Sequence, residues 1–234
     1  MQHFVPVRRA SVSEAVFEQI AGKILDGTLT AGSALPAERT LTESFAVNRQ
    51  AVREALQRLD ELHLVEIRHG DATRIQDYRA SCGPDLLPRL FLRGDGTVDP
   101  QVLRAVMEMR AAIAADAAAL CAARATGHEL AELRRLLGEL AAASEAELAS
   151  LDDRFWDVIA DGSGNICYRL SLNAVRRAYR PAEAMVASGL VVEHSDLPGH
   201  RGLVAAIAAG DAEAARAAAT ALLSRGTEAI TALW

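Results

Sequence analysis

From Pro100 onward no stretch alternates apolar and polar residues over a useful length, so the larger part of this 234-residue chain must fold without a sheet. Apolar residues recur there at helical spacing instead. The breaks fall at Gly127, at Gly162-Ser163-Gly164, at Pro181 and at Gly210-Asp211. Helices are expected over Pro100–Ala125, Glu129–Ala142, Ser144–Ala160, Asn165–Arg180, His200–Ala209 and Ala212–Leu233. Ser144-x-x-Glu147 has the pattern of a capping box, and Asn165 suits an N-cap. Half the residues are hydrophobic but only 4% are aromatic, because alanine supplies so much of this region. Small helix formers in that number favour close helix packing, and the expected architecture is an antiparallel α-helical bundle.

The first 76 residues read differently. Val12, Val16, Ile20 and Ile24 recur at helical spacing behind a Ser cap, and the helix should stop near Asp26-Gly27. Leu35-Pro36 opens a short helix to about Ser44, and Phe45-Ala46-Val47 makes a compact turn. Asn48 then caps a third helix, Arg49 to about Leu62, with an inner face of Val52, Leu56 and Leu59. Alternation on either side of Gly70-Asp71, in Leu64–Arg68 and Thr73–Gln76, reads as a β-hairpin. The predicted fold is therefore mainly α: an N-terminal winged helix-turn-helix with a small hairpin wing, then the bundle. The expected divisions are a winged helix-turn-helix domain over residues 1–77, a linker with one short helix over 78–99, and an all-helical domain over 100–234.

On the third helix Arg49, Gln50, Arg53 and Gln57 share the face opposite the apolar one. Arginine matches the O6/N7 edge of guanine, and glutamine the N6/N7 edge of adenine. Asn48 stands at the helix N-terminus, where backbone amides favour a phosphate. Arg39 lies in the preceding helix within reach of a phosphate or base, and the hairpin tip Arg68-His69-Gly70 suits a minor groove. Bulk charge gives no support: the net charge is -6, and residues 1–78 hold nine Lys/Arg against eleven Asp/Glu. DNA binding must rest on where the arginines stand.

Leu35-Pro36-Ala37-Glu38-Arg39, then Val47-Asn48-Arg49-Gln50-Ala51-Val52-Arg53-Glu54-Ala55-Leu56, then Arg68-His69-Gly70, resemble the GntR family of bacterial regulators. The resemblance runs without a gap over about residues 13–76. It implies palindromic operator binding by a homodimer, with Arg39, Arg49 and Arg53 in DNA recognition and His69 and Gly70 at the wing. Asn48 and Ala51 depart from the commoner Ser/Thr and Thr/Ser/Pro.

The second half resembles the helical effector domain of the FadR subfamily. The matching pieces are Arg110 with its Ala-rich run, Leu151-Asp152-x-x-Phe155, Ser163-Gly164-Asn165, His200-x-x-Leu203 and Gly210-Asp211-Ala212. Many such relatives carry a metal that grips a carboxylate effector. In this chain Asp152 and His200 fill two of those ligand positions, but Trp156 and Leu222 occupy the other two. Two protein ligands hold a transition metal poorly, so no cofactor is expected, and any metal would fall to Asp152 and His200. The loss of ligands to bulky groups, with Asn173 and Tyr179, resembles the fatty-acyl-CoA-responsive branch. The implied effector is a small acyl or carboxylate metabolite, with acyl-CoA foremost, held by Arg110, Asp152, Trp156, Asn173, Tyr179, His200 and Leu222.

Enzyme chemistry finds little support. There is no GxSxG, no HExxH and no glycine-rich phosphate loop, which leaves a metal-dependent hydrolase at Asp152 and His200 as the remote alternative. Cys82, Cys121 and Cys167 form no CxxC and are expected as reduced thiols. The first residues lack the apolar core of a signal peptide, and no run spans a membrane, so a cytoplasmic regulator is expected.

Overall fold

The computed structural model describes residues 12–68 and 71–232. Two compact units divide between Leu86 and Leu87.

The first unit opens with α1 (Val12–Leu25), α2 (Glu38–Phe45) and α3 (Arg49–Glu61). Its core is Val16, Phe17, Ile20 and Ile24 of α1 against Val52, Leu56 and Leu59 of α3, with Leu35, Leu41, Leu64 and Ile75 closing the ends. Val12 does not belong to it and is 53% exposed. The buried stripe of α1 keeps Val16, Ile20 and Ile24 of the expected row and widens through Ser13, Phe17 and Ala21. Between α2 and α3 the chain turns at Ala46, held at φ 52°, whose amide bonds back to the Glu43 carbonyl. Asn48 caps α3, its Oδ1 accepting from the Ala51 amide at 2.8 Å.

The hairpin is short. Strand β1 (Val65–Glu66) pairs antiparallel with β2 (Arg74–Ile75), Val65 opposite Ile75 and Glu66 opposite Arg74. The far edge of β2 is also paired, because the Leu35 amide bonds to the Thr73 carbonyl and the Ile75 amide to the Ser33 carbonyl. The expected tip residues His69 and Gly70 lie outside the described residues.

Residues 78–99 hold two short α-helices, α4 (Tyr78–Ser81) and α5 (Leu87–Leu90), with a 3-10 helix at Pro84–Leu86 between them. Phe91 and Val98, beyond α5, are fully buried against Leu103 and Met107 of the next helix. This is α6 (Pro100–Arg124), capped by Asp99. It is followed by α7 (Gly127–Ala142), α8 (Glu145–Gly162), α9 (Ile166–Tyr179), α10 (Glu183–His194), α11 (Leu197–Ala208) and α12 (Ala212–Thr231). The predicted Ser144 box is formed, with the Glu147 carboxylate accepting from the Ser144 amide at 2.9 Å. No helix was expected over α10. It packs on α12 through glycine: a Cβ at Gly189 would lie 2.9 Å from Ile230, and one at Gly226 2.1 Å from Glu193. Alanine-rich α6 runs through the centre of the core, with Ala114, Ala117, Ala118 and Cys121 against Phe155, Ile159, Leu203 and Leu222. Among the described residues no helix is long and apolar enough to cross a membrane.

Candidate functional site

On the first unit, burial of Ala51, Val52, Ala55, Leu56 and Leu59 turns the opposite side of α3 outward. Arg49, Gln50, Arg53 and Gln57 are all exposed there, and Arg39 on α2 is exposed as well. Arg53 Nε donates to Glu38 Oε2 at 2.9 Å, which ties the middle of α3 to the start of α2. Gln50 Nε2 donates to Glu54 Oε1 at 2.9 Å. Beside the wing, Arg68 pairs with Glu66 at 2.9 Å, and this bond draws the Glu66 carboxyl below its ordinary range. Among the described residues Arg39 and Arg49 make no ion pair. The acidic residues that cancel the unit's bulk charge thus partner particular arginines and leave others unmatched.

The second unit buries an unusual number of ionisable groups. Arg110, Asp152, Glu193, His194 and His200 are each at least nine-tenths buried, and charges so placed must be paired. Arg110 donates to both oxygens of Glu193, through Nη1 at 3.0 Å and through Nη2, and its Nη2 also lies 3.8 Å from Asp152. Since arginine only donates, both Glu193 oxygens accept, the bidentate geometry of an ionised carboxylate. Burial pushes the Glu193 carboxyl up, and the guanidinium opposes that push.

His200 is bonded on both ring nitrogens, Nδ1 with the Asp196 carbonyl and Nε2 with Asp152 Oδ1, each at 2.9 Å. A carbonyl only accepts, so Nδ1 donates. An ionised Asp152 likewise makes Nε2 a donor, and the ring is then an imidazolium. Burial opposes this charge, yet the bond to Asp152 holds the His200 pKa above its ordinary 6.5. Burial likewise opposes ionisation of Asp152, but the His200 bond and the neighbouring cations hold its carboxyl below the usual range. Arg110 and His200 therefore balance Asp152 and Glu193. The predicted Asp152–His200 association is present, with Arg110 close to both carboxylates. Glu193 and His194, on the unforeseen α10, complete the group.

Asp152, Glu193 and His194 bring ligand atoms within 4.8 Å of one another, a spacing a metal ion could use. The donor set fits a divalent ion poorly. Glu193 is already taken up by Arg110 and Asp152 by His200, so a dication would add its charge to a balanced group and displace both bonds. Trp156 and Leu222 offer no ligand atoms.

Next to this cluster lies a small cavity of about 20 Å³, room for about one water molecule, between α6, α8 and α9, lined by Arg110, Ala114, Asp153, Trp156, Leu172, Val175, Arg176 and Tyr179. Three residues expected at an effector site, Arg110, Trp156 and Tyr179, thus share one cavity, with Asp152 and His200 in the cluster beside it. Leu222 sits in the core of α12, and Asn173 is half-buried on α9 outside the lining. Arg176 is paired with Asp153 at 2.9 Å and with Asp157. Burial pushes the Tyr179 phenol up to about 12, so it stays neutral. Trp156 is 4% exposed, and its Nε1 has no hydrogen-bond partner among the described residues. An unmet buried donor costs about 1–3 kcal/mol.

A helix-turn-helix with a paired wing, joined to a helical unit with a polar-walled cavity, defines a class: a one-chain regulator that couples a DNA reader to a sensor. Comparison with known proteins makes the assignment. Residues 12–75 match the gntR family of bacterial regulatory proteins and residues 105–225 match the FCD domain. The chain is 41% identical over 232 residues to the HTH-type transcriptional regulator Mce2R of Mycobacterium tuberculosis, covering 97% of this chain and 95% of that one. It is 32% identical over 164 residues to the fatty acid metabolism regulator protein of Pectobacterium atrosepticum, covering 69% and 66%. The solved structure of Lar from Listeria monocytogenes aligns over the full length of both chains, with a TM-score of 0.56 at 18% identity, and shows the same fold. The chain belongs to the GntR family, in its FCD-containing, FadR-like branch. It is a DNA-binding transcriptional regulator with an effector domain, and its family consists of regulators, not enzymes.

Proposed function

We propose that α3 is the recognition helix of an operator-binding domain over residues 1–77, and that residues 100–234 bind a small metabolite and pair two copies of the chain. Arg49, Gln50 and Arg53 read base edges in the major groove, while Arg39 and Asn48 engage the backbone beside them. His69 and Gly70 carry the wing into the adjacent minor groove. The observation that carries this reading is the exposed Arg/Gln face of α3, with Arg39 and Arg49 unmatched by acid, in a chain of this family. The effector is an acyl or carboxylate compound bound at the α6/α8/α9 cavity, which must widen to admit it, with no metal ion. Fatty acyl-CoA leads the candidates, and support comes from the name of the Pectobacterium relative. Effector binding changes operator affinity only if it favours one dimer geometry over the other. Such a regulator works in the cytoplasm, where operators are.

Selection of bound duplexes from a random library tests the reading. A pseudo-palindrome with half-sites about one turn or less apart should emerge, with affinity falling steeply as salt rises. Failure to enrich any sequence overturns the proposal. Native mass spectrometry of the purified chain should show a co-purified ligand, and that ligand should change operator affinity.

A further inference from the structure

An acid beside the exposed arginines of α3 needs a reason, because it repels the phosphates that those arginines attract. Glu38 is such an acid. It opens α2, its side chain is 42% exposed, and its Oε2 accepts from Arg53 Nε at 2.9 Å. In water an exposed pair of this kind contributes at most about 1 kcal/mol, so stability alone does not account for it. An acid also suits the first turn of α2, but that benefit needs no arginine.

The bond leaves one part of the guanidinium uncommitted. Nε gives its single N–H to Glu38, while Nη1 and Nη2, with two N–H donors each, have no partner among the described residues. Those paired donors form a fork that matches neighbouring acceptors such as O6 and N7 of guanine. A guanidinium left free on its long stem can offer the same donors to a phosphate as readily as to a base.

We propose that Glu38 is a positioning residue for operator recognition. It holds Arg53 by Nε so that the Nη pair meets a guanine edge, and its charge keeps that guanidinium off the phosphates. This rests on the reading of α3 as the recognition helix. A side chain ordered before DNA arrives spares binding the cost of ordering it. Glu38 therefore weakens binding to DNA at large and sharpens the choice of sequence.

Fluorescence anisotropy with the full-length chain tests this. The duplexes are the selected operator, a set with each half-site base pair changed in turn, and a scrambled sequence. The proteins are wild type, Glu38→Ala, Arg53→Ala and the double variant. Arg53→Ala locates the base pair that Arg53 reads, as the position where discrimination is lost. At that pair Glu38→Ala should lose about threefold to tenfold of the wild-type discrimination, the cost of ordering one long side chain. Scrambled DNA should bind Glu38→Ala no more weakly than wild type. In the Arg53→Ala background the same change should alter discrimination at that pair by less than about twofold. A purely structural role for Glu38 would weaken every duplex alike and leave the ratios as they are. Unchanged discrimination in Glu38→Ala, or a loss of equal size with and without Arg53, overturns the proposal and leaves the reading of α3 standing. An Arg53→Ala variant that discriminates like wild type at every pair overturns that reading of Arg53 and the proposal together.

Discussion

Replacing Arg110 by methionine keeps much of the side chain's length and removes its charge. In the folded protein this leaves Glu193, fully buried, without a hydrogen-bond donor from α6, and leaves Asp152 with His200 and, at 3.6 Å, His194. Breaking one side of a buried ion pair costs about 3–5 kcal/mol, because the remaining charge is stranded in a poorly solvating interior. At roughly 2–4 °C per kcal/mol for a unit of this size, the melting temperature of the helical unit should fall by on the order of 10 °C. The companion variant Arg110→Met/Glu193→Met removes both charges. It should recover most of the loss, since an apolar pair of similar volume is about as stable as a buried salt bridge. Only part is recoverable, because Arg110 also lies 3.8 Å from Asp152. Calorimetric melts of the wild type, both single variants and the double variant close the cycle. If Arg110→Met melts within about 2 °C of wild type, or the double variant is no more stable than Arg110→Met, the charge-balanced cluster is refuted.

Asn48→Ala removes the bond to the Ala51 amide, and should cost the winged unit about 1 kcal/mol by urea titration, while Asn48→Asp costs little. Gly226→Ala places a methyl 2.1 Å from Glu193 Oε2 and 2.7 Å from Leu190, and should destabilise by about 1–3 kcal/mol. Gly202→Ala, with nothing within 4 Å, should be neutral or stabilising in the same melts. His200 binds its proton more tightly folded than unfolded, so its contribution is complete below about pH 6.5 and is lost as pH rises through the raised value. Asp152, whose carboxyl is depressed, contributes above its ordinary 3.8 and loses that contribution as pH falls through the lowered value. Melting temperature should therefore decline on the alkaline side, and His200→Gln should flatten that limb. An unchanged profile would count against the His200–Asp152 ion pair.

The winged unit was legible because its helices announce themselves locally. Asn48 caps α3, and Val52, Leu56 and Leu59 fall on its inner face as their spacing requires. Val12 was misplaced because spacing alone cannot separate rows one residue apart, and Phe17 has more area to bury than Val12. The helical unit showed its capped elements, α6 and α8 among them, but not α10. Gly189 sits in mid-helix, Val191-Val192 is β-branched, and Ala182 provides no side-chain cap. Gly189 is there because Ile230 leaves no room for a Cβ, a fact about α12 that no local pattern carries. Glu193 and His194 were lost with that helix, since the partner of Glu193 stands 83 residues away. Asp152 and His200 were found only through family likeness. The pairing of Arg53 with Glu38 joins two helices whose separate patterns say nothing of each other.

The account depends most on the outward face of α3. Fluorescence anisotropy with a selected operator and a scrambled duplex, comparing wild type with Arg49→Ala/Arg53→Ala across salt, tests it directly. Each lost base contact should cost about 1–3 kcal/mol, so the double variant should bind both duplexes with nearly equal, weak affinity and a shallower salt slope. A double variant that still prefers the operator as strongly as wild type would contradict the account.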